Sequence, residues 1–298
     1  MMQRDDIMFH VIFVCTGNTC RSPMAAGLFR LYLQNMGLQD CAKVESAGLA
    51  AAAGAPPSKN AVKAAAGFGA NISAHRSRPL TGADITPDTR FVCMTPQHAA
   101  VLQSAGVLSE HILSLSVPDP FMGDEQVYMR CAKQLSDAMP KVFRFVFGCD
   151  GVRRMQPCDA RAAAAIERAC FAHPWSEAAL RESLEDPNAC FFLLTADGRP
   201  AGYIGANNVS GEVYMNDLAV LPEYRRRGFG RLLLSALVAF ARAKEAEFVT
   251  LEVREGNIPA VSLYRELGFQ QTGMRKNFYR DPDENALILT LPVDKKQV

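Results

Sequence analysis

The apolar run His10-Val11-Ile12-Phe13-Val14 predicts a buried strand, and a helical pattern from Met24 to Met36 follows it after a short loop. Lys43 to Leu49 reads as a short strand ending in a Ser-Ala-Gly turn, and Ala50 to Pro57 as a loop of small residues. Ser58 is placed to cap a helix running to Phe68. Phe91-Val92-Cys93-Met94 predicts a second buried strand, Gln97 to Ala105 a helix and Ile112 to Leu115 a third strand. Tyr128 to Val146 has the stripe of a closing amphipathic helix. This alternation predicts an α/β fold, an open parallel sheet with helices on both faces.

Gly148-Cys149-Asp150-Gly151 breaks the helical pattern, which places a domain boundary there: 1–149 and 150–298. Val152 to Pro157 then reads as a first strand and Asp159 as the cap of a helix from Ala160 to Phe171. Val213 to Val220 is a long strand pattern, Leu221 to Tyr224 a turn, and Arg231 to Glu245 a helix. Neither half repeats the other.

Composition narrows the class. A chain of 298 residues, 49% hydrophobic, is long enough for two domains with their own cores and argues against extensive disorder. A net charge of +1 exerts no global pull toward nucleic acid or membrane. The charged start, Met1-Met2-Gln3-Arg4-Asp5-Asp6, has no signal-peptide core, and no apolar stretch is long enough to span a bilayer. Nine cysteines, without a CxxC pair or zinc-ligand spacing, predict reduced thiols in a cytoplasmic protein with no metal.

Between the first strand and first helix stands Cys15-Thr16-Gly17-Asn18-Thr19-Cys20-Arg21-Ser22-Pro23. A loop there aims backbone N–H groups and the positive end of the helix dipole at a bound anion. Gly17 and Asn18 suit left-handed backbone, and Pro23 suits a first helical turn. A thiolate at Cys15 and the Arg21 guanidinium then make a phosphate cradle with a nucleophile at its floor. Across the pocket, Val117-Pro118-Asp119-Pro120-Phe121 supplies a carboxylic acid on a stretch that proline keeps extended.

The Cys15–Pro23 stretch resembles the signature of low-molecular-weight protein tyrosine phosphatases and the related bacterial protein-arginine phosphatases, a resemblance covering roughly residues 8–147. It implies Cys15 as nucleophile, Arg21 as phosphoryl clamp and Asp119 as general acid, with Thr16, Gly17, Asn18, Thr19, Cys20 and Ser22 around the phosphate. It also implies that Ser46 supports Asn18 and that Phe121 walls the substrate pocket. Cys20, close to Cys15 in the same loop, guards it against over-oxidation by forming a disulfide, or is a passive loop residue. His75-Arg76-Ser77-Arg78 matches a basic stretch of the family, or is a solvated surface run. Thr19 stands where tyrosine-directed members carry an apolar residue and arginine-directed members carry threonine, so phosphoarginine on protein substrates is favoured over phosphotyrosine. A non-catalytic phospho-residue binder and an arsenate reductase are the alternatives.

In the second half, Arg225-Arg226-Arg227-Gly228-Phe229-Gly230 follows a strand and opens a helix, again offering N–H groups to an anion. This loop resembles the acetyl-coenzyme A pyrophosphate site of the GNAT acetyltransferases. Thr250 to Asn257, Ala260 to Phe269, His173-Pro174-Trp175-Ser176 and Arg275 to Tyr279 sharpen the likeness to the RimI branch, over about 152–293. The resemblance implies a mixed, splayed α/β sheet and acetyl-CoA as cosubstrate. It implies Glu252 as base, Tyr264 as the acid for the coenzyme A sulfur, and Asn257 and the backbone of Leu218, Ala219 and Val220 as cofactor contacts. The N-terminal peptide of a protein, with a ribosomal protein as the branch's own example, is the expected acceptor; a lysine or small amine is the alternative. Trp175 lines the peptide groove or packs the core.

Overall fold

In the computed structural model the chain divides into two compact units, Met1–Gly148 and Cys149–Val298. The structure describes residues 9–293; the expectations for Met1 to Asp6 lie outside them.

The first unit runs β1 (Phe9–Cys15), α1 (Arg21–Asn35), β2 (Ala42–Gly48), α2 (Lys59–Gly67), β3 (Thr89–Cys93), α3 (Pro96–Ser104), β4 (Ile112–Ser114) and α4 (Glu125–Phe147). Its four strands lie parallel in the order β2-β1-β3-β4, so β1, apolar along its length and buried on both faces, is central. Helices α1, α2 and α4 pack on one another, and α3 lies against β3 and β4. Ser58 caps α2 as expected, its Oγ accepting from Ala61 N. This is the predicted α/β architecture. The order of the strands puts the end of β1, and therefore Cys15, at the carboxyl edge of the sheet, where such folds bind ligands.

The second unit runs β5 (Gly151–Arg154), α5 (Ala160–Cys170), α6 (Glu177–Glu185), β6 (Phe192–Ala196), β7 (Arg199–Val209), β8 (Glu212–Val220), α7 (Phe229–Ala243), β9 (Phe248–Arg254), α8 (Ile258–Glu266), β10 (Gln270–Tyr279) and β11 (Glu284–Pro292). Its seven-stranded sheet has the order β10-β11-β9-β8-β7-β6-β5. Every neighbouring pair is antiparallel except β8 and β9. That parallel pair is in register only from Glu212 opposite Phe248 to Met215 opposite Leu251. Beyond Met215 the strands part, which is the splayed, mixed sheet expected.

Two local expectations fail. Gly17 is not left-handed; Asn18 alone carries the positive φ, 54°, because its side chain is held by the loop. Asp159 does not cap α5 with its side chain. Its carboxylate is taken by Arg153, at 2.7 Å to each oxygen, and by Gln156 N, closing the preceding 3₁₀ turn instead. Trp175 packs against the core cluster that Ala163, Phe191 and Tyr203 help form, and its backbone N–H donates to Glu167 Oε2 at 2.8 Å.

Candidate active sites

The loop after β1 is built around one buried side chain. Asn18 donates from Nδ2 to Ser22 Oγ and Ser46 Oγ, both at 2.9 Å, and its Oδ1 accepts from Arg78 N at 2.9 Å. The His75 ring reaches the Asn18 carbonyl at 2.8 Å. Burial holds the His75 pKa below the usual imidazole value, so the ring is neutral near pH 7 and donates this bond. The stretch His75 to Arg78 is therefore a brace for the loop rather than a solvated run. Gly48 sits where a Cβ would come within 2.5 Å of the Thr16 carbonyl, so only glycine lets β2 approach the loop this closely.

Inside that frame, Cys15 is 3% exposed, with its Sγ 3.0 Å from Ser22 Oγ and accepting from Asn18 N at 3.3 Å. Both contacts suit a sulfur anion. Arg21 begins α1 and is 5% exposed; it donates to the Val117 carbonyl at 3.3 Å and is ion-paired with Asp119. The second loop is thereby tied to the first, and Cys15, Arg21, Ser22 and Asp119 form one site. Asp119 Oδ1 also accepts from Phe121 N at 3.2 Å, while the Phe121 ring stands exposed at the loop's tip. Thr16 Oγ1 lies 3.0 Å from Nε2 of His98, whose pKa is lowered by burial and by Arg21. Cys20 is buried, 3.2 Å from the Tyr128 hydroxyl and 3.4 Å from Ser58 Oγ. Thr19 is partly exposed; its carbonyl accepts from Ser58 N at 2.9 Å, and among the described residues its hydroxyl has only the Cys20 sulfur, at 3.8 Å, within bonding reach. His75, Arg78, His98 and Tyr128 join the site through contacts between positions far apart in the chain, which no local spacing signals.

In the second unit, the parting of β8 and β9 leaves the backbone of Leu218, Ala219 and Val220 unpaired on the β9 side, although β7 still pairs with all three. Arg226 and Gly228 have φ of 61° and 80°, turning the chain into α7. Arg225 Nε donates to the Val220 carbonyl at 3.0 Å, and the Arg227 guanidinium lies over the Tyr224 ring at 5.3 Å. The Phe229 side chain is buried, leaving its backbone, with that of Gly228 and Gly230, at the helix N-terminus. A strand edge that can pair with an amide-bearing arm, ending at a helix N-terminus flanked by arginines, fits the pantetheine and pyrophosphate of acetyl-CoA.

Glu252 lies on β9, with its Oε1 2.9 Å from Arg275 Nε. Tyr264, on α8, is buried; burial, then Tyr279 and Asp217, push its phenol well above the usual tyrosine range. Tyr279 is itself pushed up by burial and by Glu252, with Glu284 and Asp217 adding and Arg254 opposing. Asn257 caps α8, its Oδ1 accepting from Ala260 N at 3.3 Å. Beside these stands a carboxylate that no motif pointed to. Asp217 is half-buried on β8, and burial, then Glu167, push its pKa up to about 6. Among the described residues no group of three His, Cys, Asp or Glu side chains is placed to hold a metal ion, and no helix is long and apolar enough to cross a membrane.

Residues 10–147 match the family model of low molecular weight phosphotyrosine protein phosphatases, and residues 160–269 that of the acetyltransferase (GNAT) family. The [ribosomal protein bS18]-alanine N-acetyltransferase of Escherichia coli K12 is 33% identical over 144 residues, 48% of this chain and 97% of that protein. A solved low molecular weight protein tyrosine phosphatase from T. tengcongensis is 33% identical and covers 46% of this chain and 98% of its own, with a TM-score of 0.43. A mutant of YwlE from Bacillus subtilis is 30% identical, covering 45% and 95%, with a TM-score of 0.42. The chain therefore joins a low-molecular-weight phosphatase domain to an acetyltransferase domain, and through the latter it belongs to the GNAT family of N-acetyltransferases related to RimI.

Proposed function

We propose that the first unit is a cysteine-dependent phosphatase acting on phosphoarginine in proteins, and that the second acetylates the α-amino group of a protein N-terminus. For the first unit the supporting observation is the Cys15, Arg21 and Asp119 constellation, with the Thr19 hydroxyl beside it. Cys15 Sγ attacks phosphorus in line while Arg21 and the loop amides hold the equatorial oxygens. The incoming phosphoryl group competes with Asp119 for Arg21, which turns the carboxyl toward the leaving atom. The P–N bond breaks as Asp119 delivers a proton to the departing guanidine nitrogen. Water then attacks phosphorus, giving its proton to Asp119; the P–S bond breaks and phosphate leaves. Thr19 offers a hydroxyl to the polar guanidine that a phenyl ring cannot use, and Asp119 adds an acceptor for its N–H groups.

For the second unit the supporting observation is the parted β8–β9 edge together with the N-terminus of α7, with Glu252 one residue past the last β9 position in register with β8. Acetyl-CoA supplies an activated acyl carbon and a thiolate leaving group. Glu252 accepts the proton of the acceptor amine; Tyr264, whose raised pKa keeps it protonated at neutral pH, gives one to the thiolate. The Phe278 ring presents an apolar face next to Arg275, whose guanidinium lies over it at 5.2 Å.

Both readings are tested on one preparation. Turnover of a phosphoarginine peptide is expected to exceed that of a matched phosphotyrosine peptide, and the preference to reverse in Thr19→Ile. Phosphotyrosine preferred by both forms refutes the arginine reading, and no turnover of either points to a phospho-residue binder. Acetylation of an N-alanyl peptide, read by mass spectrometry, is expected on the α-amine; transfer to an internal lysine instead refutes the N-terminal reading.

A further inference from the structure

An amine acceptor arrives at this cleft as an ammonium ion. A cation entering a half-buried site needs a counter-charge, because desolvation otherwise costs more than the contacts return. Four carboxylates bear on Tyr203, Tyr264 and Tyr279 of this unit: Glu252 on β9, Glu284 on β11, Glu167 on α5 and Asp217 on β8. Three of them are occupied. Glu252 is paired with Arg275 at 2.9 Å. Glu284 is paired with Arg254 at 3.1 Å and accepts from Gly256 N. Glu167 is 1% exposed, accepting from the Tyr203 hydroxyl at 2.5 Å and from Trp175 N at 2.8 Å.

Asp217 is different. Among the described residues no hydrogen bond or ion pair to its carboxylate occurs. It lies two positions beyond Met215, the last residue of β8 in register with β9, and so on the first stretch where the two strands have parted. The ladder with β7 slips at the same place, Gly205 facing Asp217 while Ala206 faces Met215, so Asn216 is passed over. That slip sets Asp217 on the same side of the sheet as Ala219 and its partner Tyr203, the side covered by α5. Tyr203, Tyr264 and Tyr279 all feel its charge, and Tyr279 also feels Glu252. On β9 Glu252 directly follows Leu251, the last residue in register with Met215, so Glu252 and Asp217 stand one and two positions past the point where the strands part.

We infer that Asp217 is the docking carboxylate for the ammonium group of the acceptor, holding it in front of the acyl carbon while Glu252 takes its proton. This deepens the acetyltransferase reading above and rests on it. Deprotonation then follows a simple order. The ammonium exchanges water for Asp217; Glu252, released from Arg275 or through a water, accepts one proton; the neutral amine is left facing the cleft. An acceptor whose nitrogen is blocked or uncharged gains nothing from Asp217. The inference thus extends to specificity: a free, cationic terminus is selected. The raised pKa agrees with a carboxylate buried ahead of its partner, and the groups that face it (Glu167, Tyr203, Tyr264, Tyr279) bring no positive charge.

The full chain, native and Asp217→Asn, is assayed for acetylation of an N-alanyl peptide across about pH 5 to 8. The peptide KM of Asp217→Asn is expected to rise about tenfold or more, with kcat within about threefold and the acetyl-CoA KM unchanged, the loss of one charge-assisted hydrogen bond. Native peptide KM is expected to climb as the pH falls through about 6, where Asp217 takes up a proton, and the variant to be flat there. Asp217→Glu, which keeps the charge, is expected to recover most of the native KM, and it replaces the asparagine variant should that one not fold. A des-amino analogue of the peptide should inhibit native and Asp217→Asn equally. Unchanged peptide KM, or a raised KM that keeps the native pH dependence, overturns the inference while leaving the acetyltransferase reading intact. Native protein that acetylates no N-alanyl peptide overturns both.

Discussion

At the scale of single residues, Asn18 holds more of the first site than the nucleophile itself. Its backbone N–H meets Cys15, its side chain ties Ser22, Ser46 and the chain at Arg78, and its φ of 54° is tolerable for asparagine. Asn18→Ala leaves two buried hydroxyls and the Arg78 amide short of a partner and puts alanine in left-handed backbone. The expected result is a fall in phosphatase kcat/KM of about a hundredfold and a loss of about 2–4 kcal/mol in stability of the first unit, read by steady-state kinetics and denaturant unfolding. Native-like turnover would show the loop to be held by its other contacts. The contrast with His75, His98 and Tyr128 explains what was legible. Cys15, Asn18, Arg21 and Ser22 are neighbours in the chain, and their spacing announces a cradle. His98 meets Thr16, and Tyr128 meets Cys20, only because β3 and α4 return to β1. No local pattern carries such contacts. Asp217 is hidden for another reason: in sequence it is one polar position in a strand, and only past the parting of β8 and β9 does its carboxylate stand without a partner among the described residues.

At the scale of elements, both units place a helix N-terminus after the strand that precedes their site: β1 leads to α1 and β8 to α7. Such order is readable from hydrophobic pattern and glycine placement, which is why β1 to α4, β5, α5, β8 and α7 fall within about three residues of their expected spans, whereas α6, β6, β7, β9, α8, β10 and β11 have no span assigned from the pattern. Register is not readable this way. The four-residue pairing of β8 with β9, and the slip opposite Asp217, come from the packing of whole strands. At α7 the entry turn depends on Gly228, whose φ of 80° disfavours a Cβ by about 1 kcal/mol or more. Gly228→Ala is expected to misalign the first amides of α7 and raise the KM for acetyl-CoA about tenfold, with little change in peptide KM, the opposite split from Asp217→Asn. Calorimetric titration of acetyl-CoA against the two variants separates these effects; equal losses in both would mean that the loop and the acceptor side are not distinct.

At the scale of the whole molecule, each site draws on one unit alone. Cys15, Arg21 and Asp119 lie within Met1–Gly148; Asp217, Glu252 and Tyr264 lie within Cys149–Val298. Each unit also has its own buried core, one around Ile12, Val14 and Phe91 and one around Ile166, Phe191 and Tyr203. The reacting groups proposed for each chemistry thus come from a single unit. Cys15→Ser removes the sulfur nucleophile and is expected to lower phosphatase turnover by at least about a thousandfold, since a serine hydroxyl is a far weaker nucleophile at neutral pH. Acetylation by that variant should stay within about twofold of native. Glu252→Gln removes the base and is expected to lower acetylation about 10²–10⁴-fold, with the peptide KM little changed because Asp217 still docks the amine, and with phosphatase turnover untouched. Assaying both activities on both variants gives four numbers. If either knockout shifted the other activity several-fold, the two activities would be coupled; titrating acetyl-CoA with and without bound phosphopeptide would then show whether the coupling acts on binding, where it must be reciprocal.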